Sequence, residues 1–172
     1  MKQIFYGITI TLLLLFFVIS GSISIADKNN ESVQEMEIKG LVLDQNAQSP
    51  VVILANKDQS AFLPIWIGLC EARSIELSLS EIVAPRPLTY DFIAALIRSM
   101  NAKVERIVIV DLRDEVFYAQ VEVSVDGKVS KIDARPSDAL ALASRMNSPI
   151  FVKKEVLEKS ALSDLGGEKR GI

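Results

Sequence analysis

Val116-Phe-Tyr-Ala-Gln-Val-Glu-Val-Ser-Val125, Asp126-Gly127, Lys128-Val-Ser-Lys-Ile-Asp-Ala-Arg135 and Pro136-Ser-Asp-Ala-Leu-Ala-Leu-Ala143 form one continuous stretch that decides the fold class. Its first run has period two. Phe117, Ala119, Val121, Val123 and Val125 fall on one side, and Tyr118, Gln120, Glu122 and Ser124 on the other, as in a strand with one buried face. Asp126-Gly127 signals a two-residue hairpin, because both central positions of such a turn need positive φ. Lys128 to Asp133 is therefore expected to return antiparallel. Pro136 suits the first position of a helix, where a missing N–H costs nothing. Asp138 then falls in the first turn, where free amides and the helix dipole favour a carboxylate.

Outward from this stretch, the same reading places the other elements. Met36 to Leu43, Val51 to Ala55 and Ala61 to Ile67 have strand character, separated by polar turns around Asp44–Pro50 and Asn56-Lys57-Asp58. Pro64 points to an edge strand or a bulge, and Trp66 is expected in the core. After Gly68 the period changes: Ala72, Ile75 and Leu79 mark a helix. Pro85-Arg86-Pro87 interrupts it, Thr89 is expected to cap the next helix, and Phe92, Leu96 and Met100 are expected to form its buried face with Ile93 and Ile97. Val104 to Asp111 alternates again. Pro149 to Val152 reads as a short strand and Glu155 to Ser160 as a brief helix. The expected fold is α+β, a mostly antiparallel sheet packed by two or three helices.

Lys2 is the only charge before Asp27, and Ile4 to Ala26 is apolar. The segment 1–26 reads either as a signal peptide, with Ser24-Ile25-Ala26 as its small-residue end, or as a transmembrane segment. Both readings place the globular part outside the cytoplasm, exported or membrane-anchored through residues 4–26. Residues 27–35 read as a linker, 36–160 as the domain and 161–172 as a flexible tail. With 19 Lys and Arg against 22 Asp and Glu, the chain carries a net charge of −3. That excludes steering of a polyanion by the global field and leaves only a local basic patch. The chain has no histidine and one cysteine. Imidazole acid–base chemistry, imidazole metal ligands and an internal disulfide are excluded within one chain. Cys70 is expected as a buried thiol, and any metal must be held by oxygen ligands, which suits Mg²⁺, Mn²⁺ or Ca²⁺.

Asp133, Arg135 and Asp138 crowd one strand-to-helix junction. Two carboxylates there can chelate a hard cation while Arg135 grips a phosphate, or an Arg–Asp pair can simply brace the helix start. Asp111 ends the apolar run Ile107 to Val110, where it either faces a cleft or accepts turn amides. Arg86 lies between two prolines, and Tyr90 and Asp91 open the following helix, whose start can receive an anion. Arg106 and Arg113 read as solvated.

Taken together, Pro85-Arg-Pro-Leu-Thr-Tyr-Asp91, Ile109-Val-Asp-Leu112 with Val116-Phe-Tyr-Ala119, Asp133 to Ala143, and Pro149-Ile-Phe-Val152 resemble the bifunctional nuclease family. The resemblance covers residues 36–160. It implies a compact, homo-oligomeric α+β domain that hydrolyses phosphodiester bonds in DNA and RNA with help from a divalent ion. Carried over residue by residue, it implies catalytic roles for Asp111, Asp133, Arg135 and Asp138, with Mg²⁺ or Mn²⁺ held by Asp133 and Asp138. Arg86, Tyr90 and Asp91 are implied on the substrate side. Two departures stand out. The family's Arg-Pro block continues with Thr-His where this chain has Thr89-Tyr90, and the family is largely intracellular without a leader. The alternative from another class is a noncatalytic exported binding or assembly domain that keeps the fold.

Overall fold

The computed structural model describes residues 32–167. The elements run β1 (Val33–Asp44), β2 (Ser49–Ala55), β3 (Phe62–Trp66), α1 (Leu69–Leu79), α2 (Thr89–Ser99), β4 (Lys103–Arg113), β5 (Val116–Val125), β6 (Lys128–Ala134), α3 (Pro136–Met146), β7 (Ile150–Lys153) and α4 (Lys154–Gly167). The seven strands form one sheet in the order β3-β2-β1-β7-β4-β5-β6. Every pairing is antiparallel except that of β4 with β7. The fold is thus mixed α+β.

The opening stretch folds as its pattern dictates. Asp126 (φ 49°) and Gly127 (φ 77°) make the turn, and β6 returns along β5 with Val125 opposite Lys128 and Ala119 opposite Ala134. Pro136 is the first residue of α3, and Asp138 lies in its first turn. Residues Ala139 to Ala143 are all buried, because α3 packs on α1, α2, β4 and β5 together. Alternating alanines let those neighbours approach, while Leu140, fully buried, contributes about 1.5–3 kcal/mol by leaving water. The core continues through Val52, Leu54, Leu63, Ile75, Ile107, Ile109 and Val152.

β6 closes one edge of the sheet and β3 the other. Pro64 lies on that β3 edge, where its missing N–H is tolerated. The Lys128 and Lys131 side chains on β6 discourage further strand pairing. β4 carries two bulges, between Val104 and Arg106 and between Ile109 and Asp111, and the second re-aims Asp111 at the strand's end.

Several expectations are corrected. Trp66 is not in the core: it is 51% exposed at the end of an edge strand. Phe92, Leu96 and Met100 do not face the core either, being 57%, 44% and 61% exposed. α2 is turned so that Tyr90 and Ala94 are buried and Ile93 and Ile97 half-buried; its apolar arc is wider than the surface α3 and the sheet offer. Leu79 is likewise exposed, and Cys70 lies on the solvent side of α1 rather than buried. The cap of α2 is Leu88, one residue before Thr89. β1 begins at Val33, inside the stretch expected as linker, and α4 extends well past Ser160. Arg106 and Arg113 are not merely solvated. Arg106 makes a two-pronged pair with buried Glu122 (2.8 and 3.0 Å) and lies over the Phe151 ring. Arg113 bonds Asp111 and stacks on Tyr118.

The expected membrane-anchored location is also corrected: among the described residues no helix is long and apolar enough to cross a membrane. The signal-peptide or transmembrane expectation rested on residues 1–26, which lie outside the described residues.

Candidate functional site

Three helices begin at the same place. Glu71 is the third residue of α1, Tyr90 the second of α2 and Asp138 the third of α3. Arg135, the cap of α3, ties them together. Its Nε donates to Asp138 Oδ2 at 2.6 Å, and its Nη2 donates both to Asp138 Oδ1 at 2.9 Å and to Glu71 Oε1 at 2.9 Å. Tyr90 Oη donates to Asp138 Oδ1 at 2.6 Å. The carboxylates sit at helix amino termini, where the dipoles favour negative charge, and they hold a planar guanidinium in a two-pronged grip.

The local sequence explains this geometry. Arg135 keeps extended backbone (φ −67°, ψ 143°) because Pro136 follows. Gly68 caps α1, and a Cβ there would collide with the Glu71 carboxylate. The missing side chain gives Glu71 room to fold back toward Arg135.

The electrostatics follow from those contacts. The Arg135 hydrogen bonds hold the Asp138 carboxyl below the usual range, against the opposing effect of burial. Burial, reinforced by the bond to Asp138, pushes the Tyr90 phenol well above its ordinary value. Tyr90 is therefore a fixed neutral donor at physiological pH and not a proton shuttle. The Arg135 side chain remains 69% exposed, and its Nη1 bonds no described residue. An anion can reach it without dismantling the corner.

Two hollows adjoin one another, and Arg135 lines the first. One of about 390 Å³ runs from Ser49 and Gly68 to Arg135, Pro136 and Ser137. The other, of about 570 Å³, runs past Leu112 to Lys159 and Ser160. Trp66, Glu115 and Phe117 line both. Asp111 lies beyond the second hollow. Its carboxylate accepts from Lys159 Nζ (2.8 Å), Leu112 N (2.8 Å) and Arg113 Nε (2.7 Å), and the Lys159 bond above all pulls its pKa down to about 2. On the opposite side of the Tyr90–Asp138 bond lies an apolar groove of about 670 Å³, with Ile97, Met100, Val123 and Ile132 among its walls.

Of the residues singled out in the sequence, the structure joins Tyr90, Arg135 and Asp138. Asp111 belongs to the separate cluster with Lys159. Asp133 lies on β6 opposite Gln120 and is exposed. It alternates with Ile132 and Ala134, which line the groove alongside Asp138, and so points to the other face of the sheet. Asp91 is taken up by structure: it accepts from Leu88 N at 3.0 Å and pairs with Arg145 at 3.3 Å, tying α2 to α3. Arg86 is exposed in the loop between α1 and α2.

The fit of a divalent ion follows from these positions. Both Asp138 oxygens are engaged by hydrogen-bond donors, and Asp133 faces elsewhere, so the pair does not fit a shared Mg²⁺ or Mn²⁺. Among the described residues no group of three or more His, Cys, Asp or Glu is placed to hold a metal ion. Sequence reading missed Glu71, Lys159 and the outward Trp66. The signal for Glu71 was Gly68-Leu-Cys-Glu71, a glycine cap followed by an acid at the third helical position.

A mixed α+β domain whose helix starts converge on one open guanidinium defines the candidate site. Comparison with known proteins gives the class. Residues 52–164 match the bifunctional nuclease domain, and the chain belongs to that family. An uncharacterized protein of Mycobacterium tuberculosis is 37% identical over 128 residues, 74% of this chain and 76% of that protein. Bifunctional nuclease 1 of Arabidopsis thaliana is 27% identical over 116 residues, 65% of this chain and 36% of that protein. A bifunctional nuclease of Oryza minuta is 24% identical over 144 residues, 81% of this chain and 44% of that protein. The chain thus spans less than half the length of these plant relatives.

Proposed function

We propose that the chain is a nuclease that hydrolyses phosphodiester bonds in DNA and RNA, with Arg135 as the group that receives the scissile phosphate. The observation that carries this reading is a guanidinium fixed by two carboxylates yet open to the hollow beside it. A preorganised cation stabilises the charge that builds on the phosphoryl oxygens, and it costs little reorganisation during reaction. Asp138 and Tyr90 are positioning residues that hold Arg135. Glu71 shares that task through Oε1. Lys159, held by Asp111, supplies a second cationic contact along the same cleft.

Cleavage of labelled single-stranded DNA and RNA by the full chain, with Mg²⁺, with Mn²⁺ and with chelator, tests the proposal. Arg135→Ala should lower kcat/KM by about 100-fold or more, and Asp138→Asn should lower it with it. Asp133→Asn should stay within about 3-fold of the unaltered chain, since its carboxylate faces away. No cleavage under any metal condition, or full activity in folded Arg135→Ala, would overturn the reading.

A second reading, a binding or assembly domain without turnover, is favoured by the apolar groove and the exposed Phe92, Leu96 and Met100 beside it. Large exposed apolar surface marks interaction sites. That reading predicts a multimer by light scattering together with no cleavage.

A further inference from the structure

We propose that Trp66 and Phe117 form a base-stacking subsite for one unpaired base of a DNA or RNA strand, with phosphates on either side held at Arg135 and Lys159. The inference rests on the nuclease reading and adds to it how the strand is held.

Four observations converge on it. First, the two adjoining hollows are one cleft in chemical terms, because Trp66, Glu115 and Phe117 line both. Second, the cleft has a cation at each end: Arg135 in the first hollow and Lys159 in the second. Third, Trp66 is fixed and exposed, beside a Phe117 that is half-buried against the core. The Trp66 indole N–H donates to Asp44 Oδ2 at 2.9 Å, and Asp44 itself accepts from the Asn46 and Ala47 amides. The polar edge of the ring is thus satisfied while half the side chain stays in solvent. A large aromatic held rigid and left exposed is a ready stacking platform.

Fourth, the β4–β5 connection is a two-residue hairpin turn, with the positive φ at Asp114 (48°) and Glu115 (64°) that such a turn needs. It sets Glu115 in the shared wall. A carboxylate between two cations repels phosphate from the middle of the cleft, so the middle suits an uncharged aromatic group. The order of cation, aromatic and cation matches phosphate, base and phosphate along a single strand. Bases in a duplex are already stacked and paired, so a duplex offers this wall only its phosphates.

Trp66 is the only tryptophan in the chain, so its fluorescence reports the subsite directly. The probes are a short phosphorothioate oligothymidylate, an abasic strand of equal length and the corresponding duplex, each titrated into the full chain. Binding is followed by Trp66 emission and by anisotropy of a labelled strand. The oligothymidylate should quench Trp66, while the abasic strand and the duplex leave it unchanged. Phe117→Leu should weaken oligothymidylate binding roughly 10- to 100-fold. Trp66→Phe should keep most of the affinity and Trp66→Leu should lose it. If Trp66→Leu does not fold, Phe117→Leu and the abasic strand carry the test. Equal binding of oligothymidylate and abasic strand with unchanged Trp66 emission overturns the subsite and leaves the nuclease reading standing, provided cleavage persists. No binding of any strand together with no cleavage overturns both.

Discussion

Tyr90→Phe removes one oxygen and keeps the ring, so it isolates the bond that joins α2 to α3. Tyr90 is 7% exposed, and its hydroxyl donates to Asp138 Oδ1 at 2.6 Å. A hydrogen bond to a charged partner contributes about 1.5–3 kcal/mol net. Asp138 keeps both Arg135 bonds after the change, and water reaches part of its carboxylate, so the expected loss lies near the lower end, about 1.5 kcal/mol. Urea unfolding of both proteins at pH 7 should show that difference as a lower midpoint at unchanged slope. The difference also has a pH signature. Arg135 depresses the folded-state pKa of Asp138, so the stability this carboxylate supplies is present above its unfolded value and lost as pH falls through the folded one. In the unaltered protein the raised Tyr90 pKa acts at the other end: its contribution is complete below the ordinary phenol value near 10 and declines as pH climbs above it. The two proteins should therefore converge in strong acid and in alkali. A difference under about 0.5 kcal/mol at pH 7, within ordinary surface-substitution scatter, would refute a structural role for the bond. So would a gap that does not narrow at either extreme.

Gly68→Ala should leave the melting temperature nearly unchanged, because the added Cβ displaces only the flexible end of Glu71 and stiffens the unfolded chain. Its cleavage rate should nevertheless fall to that of Glu71→Gln; normal cleavage would show that the Glu71–Arg135 contact is dispensable. Phe92→Ser and Leu96→Ser should each cost less than about 1 kcal/mol in urea unfolding, against about 2–5 kcal/mol for Leu140→Ala. Asp111→Asn should remove an acid-sensitive contribution. The Asp111 pKa falls from 3.8 to about 2, chiefly through Lys159, so the stability it supplies is present above 3.8 and lost as pH drops toward 2. Acid titrations followed by circular dichroism should show the variant less stable at pH 5 and no different near pH 1.

The parts of the fold legible in the sequence were those fixed by local chemistry. Asp126-Gly127 permits one tight turn with positive φ at both positions, and that turn sets the register of β6 on β5. Pro136 and the alternating small residues after it specify a helix that neighbours can approach from several sides. Orientation was less legible. α2 carries apolar residues around more than half its circumference, so periodicity identified the helix without saying which part of the arc meets the core. Trp66 failed for a related reason. Hydrophobicity argued for burial, but its strand lies at the sheet edge, and edge position is set by the order of all seven strands.

The candidate site divides along the same line. Arg135 and Asp138 are three residues apart, and a proline-initiated helix brings their side chains together whatever the rest of the chain does. Asp133 is nearer in sequence to Arg135 than Asp138 is, yet strand alternation turns it to the other face, so proximity along the chain misled where periodicity changed from two to 3.6. Glu71 comes from 64 residues away, and no local pattern links it to Arg135. Its place depends on α1 and α2 both starting beside α3. That convergence carries a mechanistic consequence for Tyr90. Any side chain at this position is held between buried packing and a carboxylate whose charge is already committed to Arg135. A phenol there donates and stays neutral. The same carboxylate would favour the protonated form of an imidazole in its place, with the proton taken from solvent, and Tyr90→His should therefore add stability below pH 6.5 that is lost as pH rises through a raised imidazole pKa. Urea midpoints between pH 5 and 9 measure that slope. A flat profile would mean that Asp138 does not set the charge state of its neighbour.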